Sequence, residues 1–204
     1  MLNLLASRRG HFLLESGHHG DLWLDLELLC LQPNLLRSLA AELANHLSQF
    51  GVEVVCGPLV EGAFVGLLVA SELDVQFSYS ERFARRTEEE LFPAGYRVPD
   101  ALRSRVQQKR VAIVNDVINA GSAVRRTFQD PEGCDATVVA IGALLVLGTA
   151  AEEFAARKSV ALESIASLPN NLWGASNCPL CAAGVPLQDM AGFRMALGGG
   201  PNAH

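Results

Sequence analysis

Lysine is nearly missing from this chain. Of its 16 basic residues only Lys109 and Lys158 are lysines; the other fourteen are arginines, so a lysine-dependent mechanism has few candidates. Basic charge as a whole is also short. The 22 acidic residues leave a net charge of −6, which argues against general nucleic-acid binding through a basic face. No apolar run approaches the ~20 residues of a membrane-spanning helix. The opening Met1-Leu-Asn-Leu-Leu-Ala-Ser-Arg-Arg9 places its charge after the apolar residues and no long apolar segment follows, unlike a secretory signal. The cysteines are five and scattered, and an odd number without an export signal reads as reduced thiols in a cytoplasmic protein. Aromatics make up 6%; Ala, Leu and Val dominate instead. Half of the 204 residues are hydrophobic, enough to bury a substantial core in one domain with a modest appendage.

That composition favours helices packed on a buried sheet. Leu2–Arg9 reads as a short helix. Phe12–Leu14 and Leu22–Cys30 are apolar and are separated by Ser16-Gly17-His18-His19-Gly20, a turn. Pro33 opens a helix to about Phe50, with Leu35, Leu36, Leu39, Leu43 and Leu47 at helical spacing. Val52–Cys56, Val75–Tyr79, Val111–Val114 and Thr137–Leu147 read as strands, and Glu61–Leu73 and Ala123–Gln129 as helices. Strands alternating with helices imply crossover connections and a mainly parallel sheet. The charged segment Glu81–Gln108 is long for a connection and reads as a functional loop. The stretch from Ala191, ending Gly-Gly-Gly-Pro-Asn-Ala-His, reads as a flexible tail. The expected organisation is one domain over residues 1–190 and a tail over 191–204.

The segment Val111-Ala-Ile-Val-Asn115-Asp116-Val-Ile-Asn119-Ala120-Gly121-Ser122-Ala123 carries the most chemistry. An apolar strand ends on Asn and Asp, where open α/β sheets bind ligands. Small residues then lead into a helix whose free amides suit an anion. A carboxylate beside a phosphate cradle suits a sugar phosphate: Asp116 accepts from ribose hydroxyls while Asn119–Ala123 and the Ser122 hydroxyl hold the phosphate. The same residues also suit an ordinary strand–loop–helix corner with Asp116 as a cap, and the residues alone leave both readings open.

This segment resembles the phosphoribosyl-diphosphate (PRPP) motif of the type I phosphoribosyltransferases. The wider chain is similar to the orotate branch of that family. Phe12-Leu-Leu-Glu15-Ser16-Gly17-His-His-Gly-Asp-Leu-Trp23-Leu-Asp25 resembles its N-terminal segment, and Cys56-Gly57-Pro58-Leu-Val-Glu61-Gly62 its diphosphate loop. Tyr79-Ser-Glu81-Arg82-Phe83, running on to Gly95-Tyr96, resembles its mobile catalytic loop, and Cys178-Pro-Leu-Cys181-Ala-Ala-Gly184-Val-Pro186 a C-terminal segment of one bacterial branch. The resemblance spans roughly residues 10–187, in order. It implies a twisted, mainly parallel sheet flanked by helices, under a small hood from residues 1–30 and the C-terminal segment, with a mobile loop over 81–108. It implies Mg²⁺, PRPP, a base such as orotate, and a homodimer, with no nucleic-acid or membrane partner. By the same resemblance Asp116 and Arg82 are the catalytic candidates. Asn115, Asp116, Asn119, Ala120, Gly121, Ser122 and Ala123 bind PRPP. Gly57, Pro58, Glu61 and Gly62 form the diphosphate loop; Ser16, Gly17 and Trp23 face the base; and Asp116 holds the metal through water.

The chain departs from the family pattern at several positions that the resemblance assigns to one site. Asn115 stands at the first acidic position of the motif, Glu61 where the family has Lys or Gly, and Glu15 where it has Lys or Thr. The mobile loop has no Lys or His, and Pro93-Ala94 replaces an Arg-Arg pair. Three functional readings follow: transfer of phosphoribose to orotate, transfer to a different base, and a catalytically weakened protein that binds a nucleotide or phosphate in a regulatory role. Trp23 suits packing as well as base contact. Arg125 and Arg126 read as surface residues, and His19 as ordering the hood turn with His18 exposed. Cys178-x-x-Cys181 is half of a zinc site, but no second pair stands at a suitable spacing, so a family-specific turn is the preferred reading.

Overall fold

The computed structural model describes residues 6–14, 17–25, 27–83, 95–119 and 121–189. Glu15, Ser16, Arg85, Arg86, Pro93, Ala94, Ala120 and the stretch expected as a tail therefore lie outside the described residues. The chain runs β1 (Ala6–Leu13), β2 (His19–Asp25), α1 (Glu27–Cys30), α2 (Pro33–Leu47), β3 (Val54–Pro58), α3 (Glu61–Leu73), β4 (Gln76–Phe83) and β5 (Gly95–Arg97). It continues through α4 (Asp100–Val106), β6 (Arg110–Ile118), α5 (Ser122–Glu132), β7 (Thr137–Leu147), α6 (Ala150–Lys158), β8 (Ala161–Leu168), β9 (Leu172–Trp173), α7 (Pro179–Ala182) and β10 (Gln188–Asp189).

Six strands form the main sheet in the order β5-β4-β3-β6-β7-β8. All neighbours are parallel except the β4–β5 edge, which is antiparallel. The central strands are buried on both sides, as a sheet covered by crossover helices must be. In β3 all five residues are buried. On one face α2 lays down Leu36, Leu39, Ala40, Leu43, Ala44 and Leu47, the stripe that its leucine spacing predicts. Beside it α3 buries Gly62, Ala63, Val65, Gly66, Val69 and Ala70. On the other face Val124 and Phe128 of α5 and Ala151 and Ala155 of α6 cover Ile113, Ile118 and Ile141. A smaller cluster seats Val106 of α4 and the preceding Val98 on Val54, Cys56 and Val111. Burial pushes the Cys56 thiol up to about 12, so it behaves as a small apolar group. A second sheet, β10-β1-β2-β9, joins the N-terminal hairpin to C-terminal strands and forms the hood.

Glu61–Leu73 and Thr137–Leu147 match the elements read from sequence. Several other elements differ. Residues 6–9, read as part of a helix, are strand, because Ser7, Arg8 and Arg9 pair with Leu24, Trp23 and Leu22 across the hairpin. Strand β6 does not end at Val114. Its ladder with the long β7 continues to Ile118↔Val146, so Asn115 and Asp116 stand inside the strand. The strand read at Val52–Cys56 is shifted to Val54–Pro58, in register with β4 over its whole length. The segment 81–108 contains the end of β4, then β5 and α4. Their places are set by pairing (Glu81↔Arg97, Arg82↔Tyr96) and by the Val98 and Val106 burial, contacts that local charge does not reveal. Among the described residues no helix is long and apolar enough to cross a membrane.

Candidate active site

The candidate residues converge where β3 and β6, adjacent and parallel, run out toward α3 and α5. Glycine makes the first junction. A Cβ on Gly57 would run into the Gly62 carbonyl oxygen and come within 2.8 Å of the Ala63 Cα. The first turn of α3 thus lies directly on the β3 backbone. Gly62 faces the neighbouring strand in the same way: a Cβ there would run into Asn115 Oδ1 and sit 3.0 Å from Pro58 Cγ. Gly62 therefore touches both its own loop, at Gly57 and Pro58, and Asn115 of the distant strand β6. The turn between them, Leu59–Val60, contains a cis peptide bond. Leu59 donates its backbone N–H to the Ser80 carbonyl at 2.9 Å, which ties the turn to β4.

Asn115 is buried, and its Nδ2 donates to the Val117 carbonyl at 2.8 Å. Its amide is thus oriented by its own strand, with Oδ1 toward Gly62. Asp116 is half-buried beside it. Glu61 is the first residue of α3, where a carboxylate interacts favourably with the helix dipole. That placement gives this acidic residue a structural reason, and it also puts negative charge at a helix start that could otherwise receive an anion.

The start of α5 is the opposite case. Its N-cap is Gly121, left-handed at φ 74°, with no side chain to cap the first turn. The first turn contains no acidic residue. Ser122 and Ala123, both half-buried, open the helix, so its leading amides face the β6–α5 loop with the positive end of the dipole. Arg125 lies close: its Nε is 3.6 Å from where a Gly121 Cβ would be. The guanidinium sits 5.6 Å over the Phe154 ring, and Nη2 donates to the Ala150 carbonyl at 3.4 Å. Its Nε is buried with no hydrogen-bond partner among the described residues. Arg125 and Arg126 are half-buried rather than surface residues, because the turn of α5 that carries them packs toward α6 and the sheet. Helical position alone did not reveal this.

Sequence reasoning also missed a polar chain from the hood to this loop. Asp21 on β2 accepts from Asn171, through the backbone N–H at 3.3 Å and the side-chain Nδ2 at 3.0 Å. The adjacent Asn170 donates to Asn119 Oδ1 at 2.9 Å. The Asn170-Asn171 pair was the only local signal, and nothing in the sequence says that it meets residues 51 and 150 positions away. In the hood itself Gly17 holds φ 78° in an exposed turn, where its N–H donates to the Leu14 carbonyl at 2.9 Å. Trp23 is half-buried, its ring 6.1 Å from that of Phe12. His18 is exposed and His19 buried. The backbone of Arg82 lies in β4 opposite Tyr96.

A metal that accompanies phosphates needs hard oxygen donors. Magnesium takes one or two carboxylates and fills its remaining positions with substrate oxygens and water. Asp116 is the one carboxylate of the motif, since position 115 is Asn. Asn115 and Asp116 are consecutive in β6 and so point to opposite faces, with Asn115 Oδ1 against Gly62, which leaves Asp116 as the motif side chain whose chemistry fits such an ion.

A mainly parallel sheet flanked by helices, with a hood that joins an N-terminal hairpin to C-terminal strands, is the fold of type I phosphoribosyltransferases of known structure. The sequence relatives of this chain include orotate phosphoribosyltransferases. The enzyme of that name from Caldanaerobacter subterraneus subsp. tengcongensis is 27% identical over 181 residues, covering 88% of this chain and 87% of its own. That of Thermotoga maritima is 27% identical, covering 90% of each. Among solved structures, orotate phosphoribosyltransferase from Aeropyrum pernix superposes with a TM-score of 0.59 at 21% identity, over 81% of this chain and 89% of that one. Adenine phosphoribosyltransferase from Trypanosoma brucei, solved with AMP, pyrophosphate and ribose-5-phosphate, superposes at 0.63 with 15% identity, over 81% of this chain and 76% of that one. No protein-family model matches the chain.

The contact of α3 on β3 is directly testable. Gly57→Ala adds one methyl against backbone that has no side chain to move aside. It is expected to cost about 1–3 kcal/mol, the usual range for overpacking, read as a lower urea midpoint. Unchanged stability would show that α3 slides freely on the strand.

Proposed function

We propose that the protein is a PRPP-dependent phosphoribosyltransferase that transfers phosphoribose to orotate and releases diphosphate. The observation that carries this reading is the contact of Gly62 with Asn115, which sets the start of α3 against β6, the strand that leads into the second candidate loop. Each part has a physical task. The uncapped amides of α5, with Ser122 and Arg125 beside them, hold the 5-phosphate. Asp116 accepts hydrogen bonds from the ribose hydroxyls. The turn after β3, with Leu59 and Val60 exposed, is where diphosphate approaches the start of α3. Arg82, on the strand leading to residues 84–94, supplies positive charge to the leaving group. Trp23 and the hood cover the base. In the reaction a base nitrogen forms a bond to ribose C1 as the C1–oxygen bond to diphosphate breaks. The chain's contribution is to align the two partners and stabilise charge on the departing oxygen. Magnesium, held through Asp116 and substrate oxygens, would neutralise part of the diphosphate charge.

Two features favour slow turnover. Glu61 stands at the turn that would meet diphosphate. Both lysines are engaged elsewhere: Lys109 pairs with Glu53 at 2.8 Å, and Lys158 with Glu132 at 3.0 Å. The homodimer is supported by an exposed apolar stripe formed by Val60, just before α3, and Phe64 and Leu67 of α3, which are 54%, 47% and 51% exposed.

Calorimetry with PRPP and Mg²⁺, followed by an assay of diphosphate release with orotate, is expected to show binding and transfer. Gly121→Val forces a β-branched residue to a positive φ, a strain of about 1–3 kcal/mol, and is expected to abolish PRPP binding. Wild-type affinity in that variant would move the phosphate site elsewhere. Glu61→Lys is expected to tighten PRPP binding about tenfold or more. Opposite unit charges ~4 Å apart are worth about 1 kcal/mol in water and more at a partly buried site, and ~1.4 kcal/mol is tenfold. An unchanged Kd would take Glu61 out of the diphosphate region. Sedimentation at micromolar concentration is expected to give a dimer, and Phe64→Glu a monomer; a monomeric wild type would rule out the homodimer.

A further inference from the structure

Four side chains unused by the proposed reaction meet at the hood. His11 of β1, His19 of β2, and Cys178 and Cys181 around α7 each direct one ligand atom to a common point, and these atoms all lie within 4.8 Å of one another. His11 Nε2 is 3.0 Å from His19 Nδ1 and 3.3 Å from Cys178 Sγ. Cys181 Sγ is 3.3 Å from His19 Nδ1 and 3.8 Å from His11 Nε2. A tetrahedral zinc, at ~2.3 Å from sulfur and ~2.0–2.1 Å from nitrogen, requires its ligand atoms to be roughly 3.3–3.8 Å apart. We propose that the protein binds one structural Zn²⁺ through His11, His19, Cys178 and Cys181.

The surroundings support this independently of the distances. His11 Nδ1 lies 2.8 Å from the Val185 carbonyl. The N–H on that nitrogen donates to the carbonyl, which leaves the lone pair on Nε2, facing the cluster. This is the outer hydrogen bond that metal-ligating histidines usually make. His11, His19 and Cys178 are 1%, 5% and 4% exposed, and two thiolates with two neutral imidazoles would bring Zn²⁺ to zero net charge, which suits such burial. Strand β1 carries an irregularity between Arg9 and Phe12, the stretch that holds His11, and such bulges re-aim side chains.

The segment that supplies the cysteines has little else to hold it. Of residues 174–189 only Cys178 is buried and only Leu180 half-buried; the rest are exposed. Helix α7 has four residues, and Gly184 at φ 69° turns the chain after it so that Val185 reaches His11. Where apolar burial is too small to fix a segment, a metal is the usual staple. With all four positions taken by protein, the site is structural rather than catalytic. The earlier expectation of no second ligand pair is corrected here: the partners are histidines about 160 residues upstream, so Cys-x-x-Cys spacing alone could not find them.

The test uses the full chain, produced with zinc and under reduction, and metal content measured by mass spectrometry after gel filtration. About one zinc per chain is expected, undiminished in Cys30→Ser. Cys178→Ser is expected to weaken Zn²⁺ affinity by more than the roughly 10–100-fold that loss of an outer hydrogen bond costs. Because that variant can also fail to fold, Co²⁺ is added to the chelator-stripped wild type. Tetrahedral d–d bands with thiolate-to-cobalt charge transfer support the site. Well under one zinc per reduced wild-type chain, an octahedral cobalt spectrum, or a Cys178–Cys181 disulfide in metal-free native chains overturns it. None of these readouts involves PRPP, so the outcome is independent of the reaction proposed above.

Discussion

The absence of side chains at Gly57 and Gly62 is the constraint on which the candidate site depends. It lets α3 rest on the backbone of β3 and lets Asn115 reach the first turn of α3. The turn after β3 is thereby held against the neighbouring strand β6. Any side chain at either glycine would separate them by about a methyl diameter, and a ligand held at both ends tolerates little of that. The core beneath supports this arrangement: α2 and α3 bury a continuous apolar stripe on the sheet and hold α3 from its outer side.

The two ends of the site differ in electrostatic character. At α5 a glycine cap, an acid-free first turn and Arg125 all favour an anion. At α3 a glutamate occupies the helix start. Both lysines are committed to carboxylates of the scaffold, so neither adds charge at either helix start.

The hood is joined to this site by polar links rather than by a shared apolar core. Asp21 holds Asn171, and Asn170 holds Asn119 at the phosphate loop. Two residues before Asp21 on the same strand, His19 joins His11 in facing the two cysteines. A hairpin held by a metal and, beside it, by asparagines would present Trp23 in a fixed position, which a small hood could not achieve through burial alone.

The sequence by itself determined the elements whose signal is local. The leucine stripe of α2, the apolar run of β7 and the limits of α3 follow from periodicity and from the apolar runs, and the strand-then-small-residue pattern of 111–123 marked one candidate loop. The tertiary structure decided everything that rests on pairing across distance. Residues 6–9 became strand because the hairpin supplied partners, and β6 ran past Asp116 because β7 was long enough to carry the ladder. Arg125 turned inward because α6 lay behind it. His11 and His19 met Cys178 and Cys181 because a bulge and a glycine turn aimed them at one point. Periodicity reports which face of an element is buried, but not which residue of another element waits there; hydrogen bonds act over about 3 Å and metal–ligand bonds over about 2 Å, and only the folded chain brings atoms that close.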